Sequence, residues 1–198
     1  KISFVFNSLP FYLALPVQIH AEDADSVTSP GANGSINIRH GRLRLFNAFG
    51  SDKADLSLPL RAEYWTGNSW VLNSADSVTL IPAASVALSG YSGTLSAANL
   101  GASHVVGTTL AGGQGSIVLT KPSPVATGSV DLAINLGAGV ADQSCLSVHP
   151  ATTGAAIPWL RSIYGNCAAT YDRDPSARGS FGIFAPESSK SIHVRELY

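Results

Sequence analysis

Apolar and polar side chains alternate one by one along several segments of this chain, and this period of two constrains the fold more than any other feature. The clearest run places apolar residues at every second position: Val130, Leu132, Ile134 and Leu136. The opposite face of that run carries Asp131, Ala133 and Asn135. Successive side chains of a β-strand point to opposite faces. The pattern therefore predicts half-buried strands of antiparallel sheets.

The same alternation recurs along the chain, and turn residues separate the runs. Alternating runs lie within 11–20, 36–39, 42–45, 58–65 and 192–195. Turn signals lie at 29–34, 66–69, 112–113 and 122–124. Helix signals are poor, and the best of them, Ser96 to Leu100, predicts a single turn. A strand every ten residues or so is typical of sandwiches. We therefore predict an all-β chain, an antiparallel β-sandwich of Ig-like or jelly-roll-like form with almost no helix.

The chain has 198 residues, enough to bury a core without outside help. We predict a single β-rich domain over 1–198, with a weak seam near 81–85 that divides two β subdomains. The segment 137–167 differs from the rest because it lacks alternation and holds both cysteines. We predict that it is an irregular loop region.

The charge content is low and excludes two classes of partner. Only 13% of residues are charged, the net charge is −1, and 45% are hydrophobic. No basic stripe is present to neutralise a phosphate backbone, which excludes nucleic acid as a partner. Pro16 and Gln18 interrupt the longest apolar run, so no segment predicts a membrane span.

Low charge and few lysines are typical of extracellular β-proteins, so we expect an extracellular or cell-surface location. Methionine is absent even at position 1, which favours a processed chain or a fragment.

The two cysteines, Cys145 and Cys167, both lie among loop residues. In an oxidising compartment we expect them to pair, and closing that loop would stabilise the fold by about 3 kcal/mol. Their spacing does not fit a metal site, because no CxxC or HxxxH partner exists. The alternative is two unrelated buried thiols.

The motifs of catalysis and metal binding are absent or incomplete. No serine lies in a GxSxG elbow, and the five histidines lie singly. Asp172 and Asp174 resemble half of a calcium loop, but Pro175 interrupts the ligand pattern. A second acidic spot, at 22–25, reads as an exposed turn. We therefore predict a non-enzymatic protein with no cofactor and no bound metal.

The aromatic residues leave carbohydrate binding open as an alternative. The residues that could form a platform are Tyr64, Trp65, Trp70, Trp159, Tyr164 and Tyr171. Aromatic residues on strands are more often core or cross-strand partners, which is the competing interpretation.

Several segments together resemble one protein family. They are GRLRLFNAFG at 41–50, LPLRAEYW at 58–65, WVLN at 70–73, YDRDPSARGSFGIF at 171–184 and RELY at 195–198. They resemble the C-terminal domain of MshQ-like bacterial surface proteins, which are linked to MSHA pilus biogenesis; the domain itself has no known function. The resemblance implies an extracellular protein of a Gram-negative bacterium, associated with pili, without known catalytic residues. Family members often carry a cysteine where this chain has Val78, so the family does not support the Cys145–Cys167 pairing.

The polar residues of these segments have the pattern of fold-specifying pairs. Arg42 and Arg44 share the face opposite Leu43 and Leu45, and we expect them to pair with Glu63 across strands. In a separate group, Asp172, Asp174 and Arg178 predict a salt-bridged turn before the strand at Phe181.

Two functional hypotheses from different classes follow. The first is an adhesin-type surface module that binds a glycan or other pilus and surface proteins. The second is a filament subunit that polymerises with copies of itself by donating an N-terminal strand, in which Ile2, Phe4 and Phe6 are the apolar side chains. The competing interpretation is that this strand pairs within its own domain.

Overall fold

The computed structural model describes residues 39–142, 149–162 and 173–182, together with the backbone of 16–19 and 34–37. Several predicted features lie outside these residues: the Cys145–Cys167 pair, the donor residues Ile2, Phe4 and Phe6, the acidic residue Asp172, and the aromatic residues Tyr164 and Tyr171. They stay predictions.

The described residues form thirteen β-strands and three short 3-10 helices, with no α-helix among them. The strands are β1 (Pro16–Ile19), β2 (Gly34–Asn37), β3 (Gly41–Leu45), β4 (Ala48–Gly50), β5 (Leu56–Trp65), β6 (Trp70–Leu72), β7 (Leu80–Ile81), β8 (Val86–Ser89), β9 (Val105–Val106), β10 (Thr108–Thr109), β11 (Gln114–Leu119), β12 (Gly128–Ile134) and β13 (Ser176–Phe181). The 3-10 helices are Ala83–Ser85, Ala102–His104 and Pro158–Leu160. The all-β prediction is confirmed.

The first of the two larger sheets is built around the long strand β5. Strand β3 pairs with one edge of β5, and β11 and β6 pair with successive parts of the other edge. Strand β9 extends this sheet beyond β11. All these pairings are antiparallel, as the alternation predicts.

The second sheet has the order β4-β13-β12-β8. Its pairings are antiparallel except for β4, which runs parallel to β13. Two further two-stranded pairings, β1 with β2 and β7 with β10, complete the described pairings.

The inner faces of the two sheets share one apolar core. Leu58 and Leu60 of β5, and Val130 and Leu132 of β12, are all fully buried within it. Burying one such side chain contributes about 1.5–3 kcal/mol. The core includes buried residues from both sides of the proposed seam at 81–85.

Gly179 of β13 lies close to side chains of the first sheet. A Cβ atom on Gly179 of β13 would lie 3.2 Å from Leu56 and 3.3 Å from Leu119, both in the first sheet. It would also lie 3.5 Å from Leu132 of the neighbouring strand. The absence of a side chain at this position therefore lets the two inner faces pack closely.

The half-buried pattern predicted for the run 130–136 is wrong at two positions on the outer face of the second sheet. Ala133 and Asn135 were expected on an open face but are fully buried. The Asn135 side-chain amide donates to the carbonyl oxygens of Gly139, at 3.2 Å, and Thr152, at 2.9 Å. Its oxygen accepts from the Gly137 N–H at 2.9 Å. Residues 137–142 and 149–156 therefore lie over this outer face at Asn135, and we call them the cover. Asn135 provides hydrogen-bond partners for the backbone groups of the cover.

Candidate binding surface

The outer face of the first sheet carries large aromatic and charged side chains. We call it the aromatic–arginine face and define it by seven residues: Arg42, Arg44, Phe46, Arg61, Glu63, Trp65 and Trp70. Strand register places Arg42 opposite Glu63, Arg44 opposite Arg61 and Trp65 opposite Trp70. Because side chains alternate along a strand, the residues between them point into the core.

Arg42 and Glu63 form a buried ion pair at the centre of this face. The Arg42 Nε and Nη2 atoms lie 2.7 and 2.6 Å from Glu63 Oε2. The two residues are 5% and 8% exposed. The Arg42 guanidinium also lies 4.1 Å from the centre of the Trp70 ring. Arg42 is therefore held from two directions, and a buried pair of this kind is costly to break.

Two tryptophans and a histidine meet beside this pair. The ring centres of Trp65 and Trp70 are 5.6 Å apart, and those of His40 and Trp70 are 5.4 Å apart. Both contacts are tilted at 54°, a geometry that aromatic pairs favour. Burial lowers the pKa of His40, so its imidazole is neutral at neutral pH.

The β5–β6 turn explains why the two tryptophans meet. The Thr66 N–H donates to the Ser69 carbonyl oxygen at 2.9 Å. The Thr66 hydroxyl donates to the same oxygen at 3.0 Å, which closes the loop between the strands. The short hairpin places Trp65 and Trp70 directly opposite each other, where cross-strand side chains are in contact.

A second pair of opposite residues on this face has like charges. Arg44 and Arg61 face each other across β3 and β5, and both side chains are exposed. Their guanidinium carbons lie 4.6 and 5.4 Å from the centre of the Phe46 ring. Of the two arginines expected to pair with Glu63, the structure thus brings only Arg42 to it.

The predicted aromatic platform is assembled only in part. Trp65 and Trp70 come together, whereas Tyr64 lies on the other side of β5 and stacks under Arg39 at 4.3 Å. Trp159 lies in the Pro158–Leu160 helix and is 68% exposed. The neighbouring Leu160 packs against Gly41, so this helix rests on the end of β3.

Asp174 belongs to a buried network that sequence reasoning did not predict. Its carboxylate is fully buried and accepts from Arg161 Nε at 2.9 Å and Nη2 at 3.3 Å. It also accepts from the Leu136 N–H at 2.9 Å. Arg178 pairs elsewhere, so these two members of the expected salt-bridged turn do not join each other, and its third member, Asp172, lies outside the described residues. Nothing in the sequence near Arg161 indicates its partner, because the two residues are 13 positions apart and no periodic pattern links them.

Arg161 extends this network to Asp142. Its Nη1 atom donates to Asp142 Oδ1 at 3.2 Å and its Nη2 atom to the Asp142 carbonyl oxygen at 2.6 Å. Burial lowers the pKa of Arg161, but the hydrogen bonds and charges of Asp174 and Asp142 outweigh it and raise the pKa overall. The pKa of Asp142 is lowered, mainly by the Ala138 N–H and also by Arg161. Arg161 thus joins β12, the irregular segment and the chain before β13.

Arg178 pairs with Asp131, which lies directly opposite it on β12. Its Nε atom lies 2.7 Å from Asp131 Oδ1 and its Nη2 atom 3.2 Å from Oδ2. The hydrogen bond and charge of Asp131 raise the pKa of Arg178. The Arg178 side of the pair is exposed, and exposed bridges of this kind contribute little to stability.

A serine and a histidine also meet on the second sheet. The Ser89 hydroxyl lies 2.7 Å from His149 Nδ1, and Asp131 lies opposite Ser89 across β8 and β12. Burial lowers the pKa of His149, and the charge of Asp131 opposes this shift only partly. Arg178 engages both carboxylate oxygens of Asp131. The arrangement therefore attaches His149 to β8 rather than forming a relay from Asp131 through His149 to Ser89.

The described residues contain neither a metal-binding group nor a helix that could span a membrane. Within those residues, no three His, Cys, Asp or Glu side chains are grouped closely enough to hold a metal ion. No helix among them is both long and apolar enough to cross a membrane.

Comparison with known proteins gives one match. Residues 39–197 match a family model described as DUF6701, fourth domain, whose function is unknown. No curated protein and no solved structure matches the chain. The match covers both sheets, the aromatic–arginine face and the Arg161–Asp174 network.

Proposed function

The chain belongs to the DUF6701 family as its fourth domain, and from that premise we propose that it is a non-enzymatic, adhesin-type module of an extracellular surface protein. The aromatic–arginine face carries this proposal. It combines a pair of aromatic rings with an arginine that is stacked on one of them, on the outer face of a sheet. Binding surfaces favour such aromatic and arginine side chains because they offer large contact areas with polar ends.

The proposed location rests on the segments that resemble MshQ-like surface proteins. Four of them, at 41–50, 58–65, 70–73 and 171–184, lie within the range that the family model matches. We propose an association with pili or other cell-surface filaments of a Gram-negative bacterium on this resemblance. The low charge supports an extracellular environment, in which we expect Cys145 and Cys167 to pair.

We propose a β-sandwich as the architecture. Two sheets share one core, and Gly179 lets their inner faces approach each other. The parallel pairing of β4 with β13 adds a crossover to an otherwise antiparallel arrangement. The Ig-like and jelly-roll-like forms both stay open within this proposal.

The ligand that we propose for the aromatic–arginine face is a glycan. Aromatic rings offer an apolar surface to a sugar ring, and nearby charged groups can bond its hydroxyls. Trp70 is central because it contacts Trp65, His40 and Arg42. Trp159 provides a matched control, since it is an exposed tryptophan on a different element.

The test is a glycan array probed with the chain, followed by titration of any binder. Trp70→Ala should weaken binding at least about tenfold, equivalent to about 1.4 kcal/mol, while Trp159→Ala leaves it unchanged. Thermal unfolding of both variants identifies a loss that comes from misfolding, and Trp70→Phe, which keeps a ring, should retain part of the affinity. An array without binders, or a loss confined to Trp159→Ala, contradicts the proposal.

The filament hypothesis supplies a second readout on the same material. Light scattering of the chain, with and without residues 1–8, measures whether it assembles. Large assemblies that disappear on deletion would replace the adhesin-type proposal with strand donation.

A further inference from the structure

Arg44 and Arg61, the like-charged pair on the aromatic–arginine face, have no carboxylate partner of the kind that Glu63 provides for Arg42 among the described residues. Arg42 pairs with Glu63, whereas two residues further along β3 Arg44 faces Arg61. Within the described part of the chain, no carboxylate pairs with either Arg44 or Arg61. Like charges directly opposite each other destabilise a sheet. This arrangement therefore lowers the stability of the free protein and leaves two cations available to a ligand.

A cleft opens next to Arg44, beside β3. Its volume is about 400 Å³. Its lining includes two arginines and two serines: Arg44, Arg173, Ser162 and Ser176. The backbones of Arg173 and Ser162 exchange two hydrogen bonds of 3.0 Å, which hold these two residues in place.

The charges that line the cleft are unbalanced. Among the described lining residues the one acidic side chain, Asp174, is engaged by Arg161 and the Leu136 N–H, and Arg42 is paired with Glu63. Arg173 has no carboxylate partner in the part of the chain that the structure describes. Arg44 and Arg173 therefore leave an excess of positive charge in a concave site that also offers hydroxyl groups.

We infer that this cleft binds an oxyanion, a carboxylate or sulfate group of an acidic glycan, between Arg44 and Arg173 with Arg61 nearby. Guanidinium groups bind planar carboxylates and tetrahedral oxyanions through two parallel hydrogen bonds. An anion at this position would also relieve the repulsion between Arg44 and Arg61. The inference rests on the proposed glycan function and narrows it to acidic sugars.

The charge of the whole chain separates this ligand from nucleic acid. The net charge is −1, and Arg44, Arg61 and Arg173 occupy one cleft and its rim rather than a stripe along the surface. A phosphate backbone needs many contacts spread along its length. A short anionic group next to Phe46 and the tryptophans fits this distribution better.

The experiment compares polymers that carry different charged groups or none. Dextran sulfate and dextran form one pair, polygalacturonate supplies a carboxylate, and a single-stranded DNA oligonucleotide represents phosphate. Calorimetric titration of the full chain should show binding to dextran sulfate or polygalacturonate, at least about tenfold tighter than to dextran or DNA. Raising the salt concentration should weaken that binding, because exposed charges are screened.

Matched variants locate the site. Arg44→Gln and Arg173→Gln should each weaken binding to the acidic polymer about tenfold, whereas Arg178→Gln should not, since Arg178 is paired with Asp131 on the second sheet. Sodium sulfate should raise the midpoint of thermal unfolding of the parent chain more than that of Arg44→Gln. This second readout does not depend on a glycan.

The outcomes distinguish failure of the anion site from failure of the proposed glycan function. Equal binding of dextran and dextran sulfate, equal binding of DNA, or equal losses in Arg44→Gln and Arg178→Gln overturns the anion site. Neutral glycans bound at Trp70 would then leave the proposed function intact. Sulfate stabilisation that depends on Arg44, without binding of any glycan, supports the anion site and contradicts the glycan function.

Discussion

The outer faces of the two sheets are used in opposite ways. On the first sheet the outer face carries large side chains, such as Arg44, Arg61 and Trp70. On the second sheet the chain folds back over Ala133 and Asn135 and buries them. Irregular backbone can approach a sheet closely only where side chains are small and its polar groups find partners. The small or fully bonded residues on β12 meet both conditions, and the first sheet does not.

The same comparison applies to Gly154 in the covering segment. A Cβ atom there would overlap the Gly137 carbonyl oxygen, so the two parts of the cover touch through their backbones. The cover is therefore closely packed as well as hydrogen-bonded. Four changes should test how differently the two faces respond.

Removing the Asp174 carboxylate should have the largest effect. Asp174→Ala leaves Arg161 and the Leu136 N–H without their buried partner, which should cost about 3–5 kcal/mol of unfolding free energy. Urea denaturation measures this loss. Asp142→Ala removes the other partner of Arg161. Because the Asp142 side chain is 48% exposed, this change should cost no more than about 1 kcal/mol of unfolding free energy. Equal losses in the two variants would mean that the cover does not depend on the buried pair.

Neutralising Glu63 on the first sheet should cost less. Glu63→Gln weakens the bonds from Arg42 but leaves that guanidinium over the Trp70 ring, so we expect a loss of about 1.5–3 kcal/mol. Arg61→Gln is the control, and it should be neutral or slightly stabilising because it removes a like charge. Denaturation of both variants tests the ranking, and a Glu63→Gln loss above that of Asp174→Ala would reverse it.

Enlarging a side chain under the cover should separate the two faces directly. Ala133→Leu forces extra volume beneath the irregular segment and should cost about 1–3 kcal/mol. Ser57→Leu makes a comparable change at an exposed position on the outer face of the first sheet and should stay within about 0.5 kcal/mol. Thermal and urea unfolding provide the measurement, and a tolerated leucine at 133 would show that the cover yields easily.

Acid should weaken the cover through His149, with the smallest effect. Because burial lowers the pKa of His149 below its usual 6.5, the unfolded chain binds the proton more readily. The stabilisation is complete above pH 6.5 and is lost as pH falls through the lower folded-state pKa. Asp131 opposes the shift, and Arg178, which is paired with Asp131, is the other charged group on this side.

Unfolding free energies between pH 8 and pH 5.5 measure this slope. His149→Gln should flatten it in part, and His40→Gln should remove a further part, since burial also lowers the pKa of His40 on the first sheet. An unchanged slope in His149→Gln would mean that the Ser89 contact does not report the state of the cover.

The predictions that succeeded depend on neighbouring strands. Leu58, Leu60 and Ala62 were placed on one face by alternation alone, and all are buried. Arg42 and Glu63 meet because β3 and β5 are adjacent, which makes cross-strand pairing local in the sheet. A salt-bridged turn was expected from Asp172, Asp174 and Arg178, of which the structure describes the last two. Each of these has its partner on another element: Arg161 for Asp174, and Asp131 for Arg178.

The sequence by itself determined that this chain forms sheets and which face of each strand turns inward. Period-two sterics and turn residues act between neighbours, so they are visible without a structure. Only the tertiary structure decided that Asn135 is covered, that Arg161 meets Asp174, and that Arg44 faces Arg61 beside a cleft. These contacts depend on the order of the strands and on the path of irregular backbone. Neither leaves a periodic pattern in the sequence, because the residues that meet are joined by packing and not by spacing.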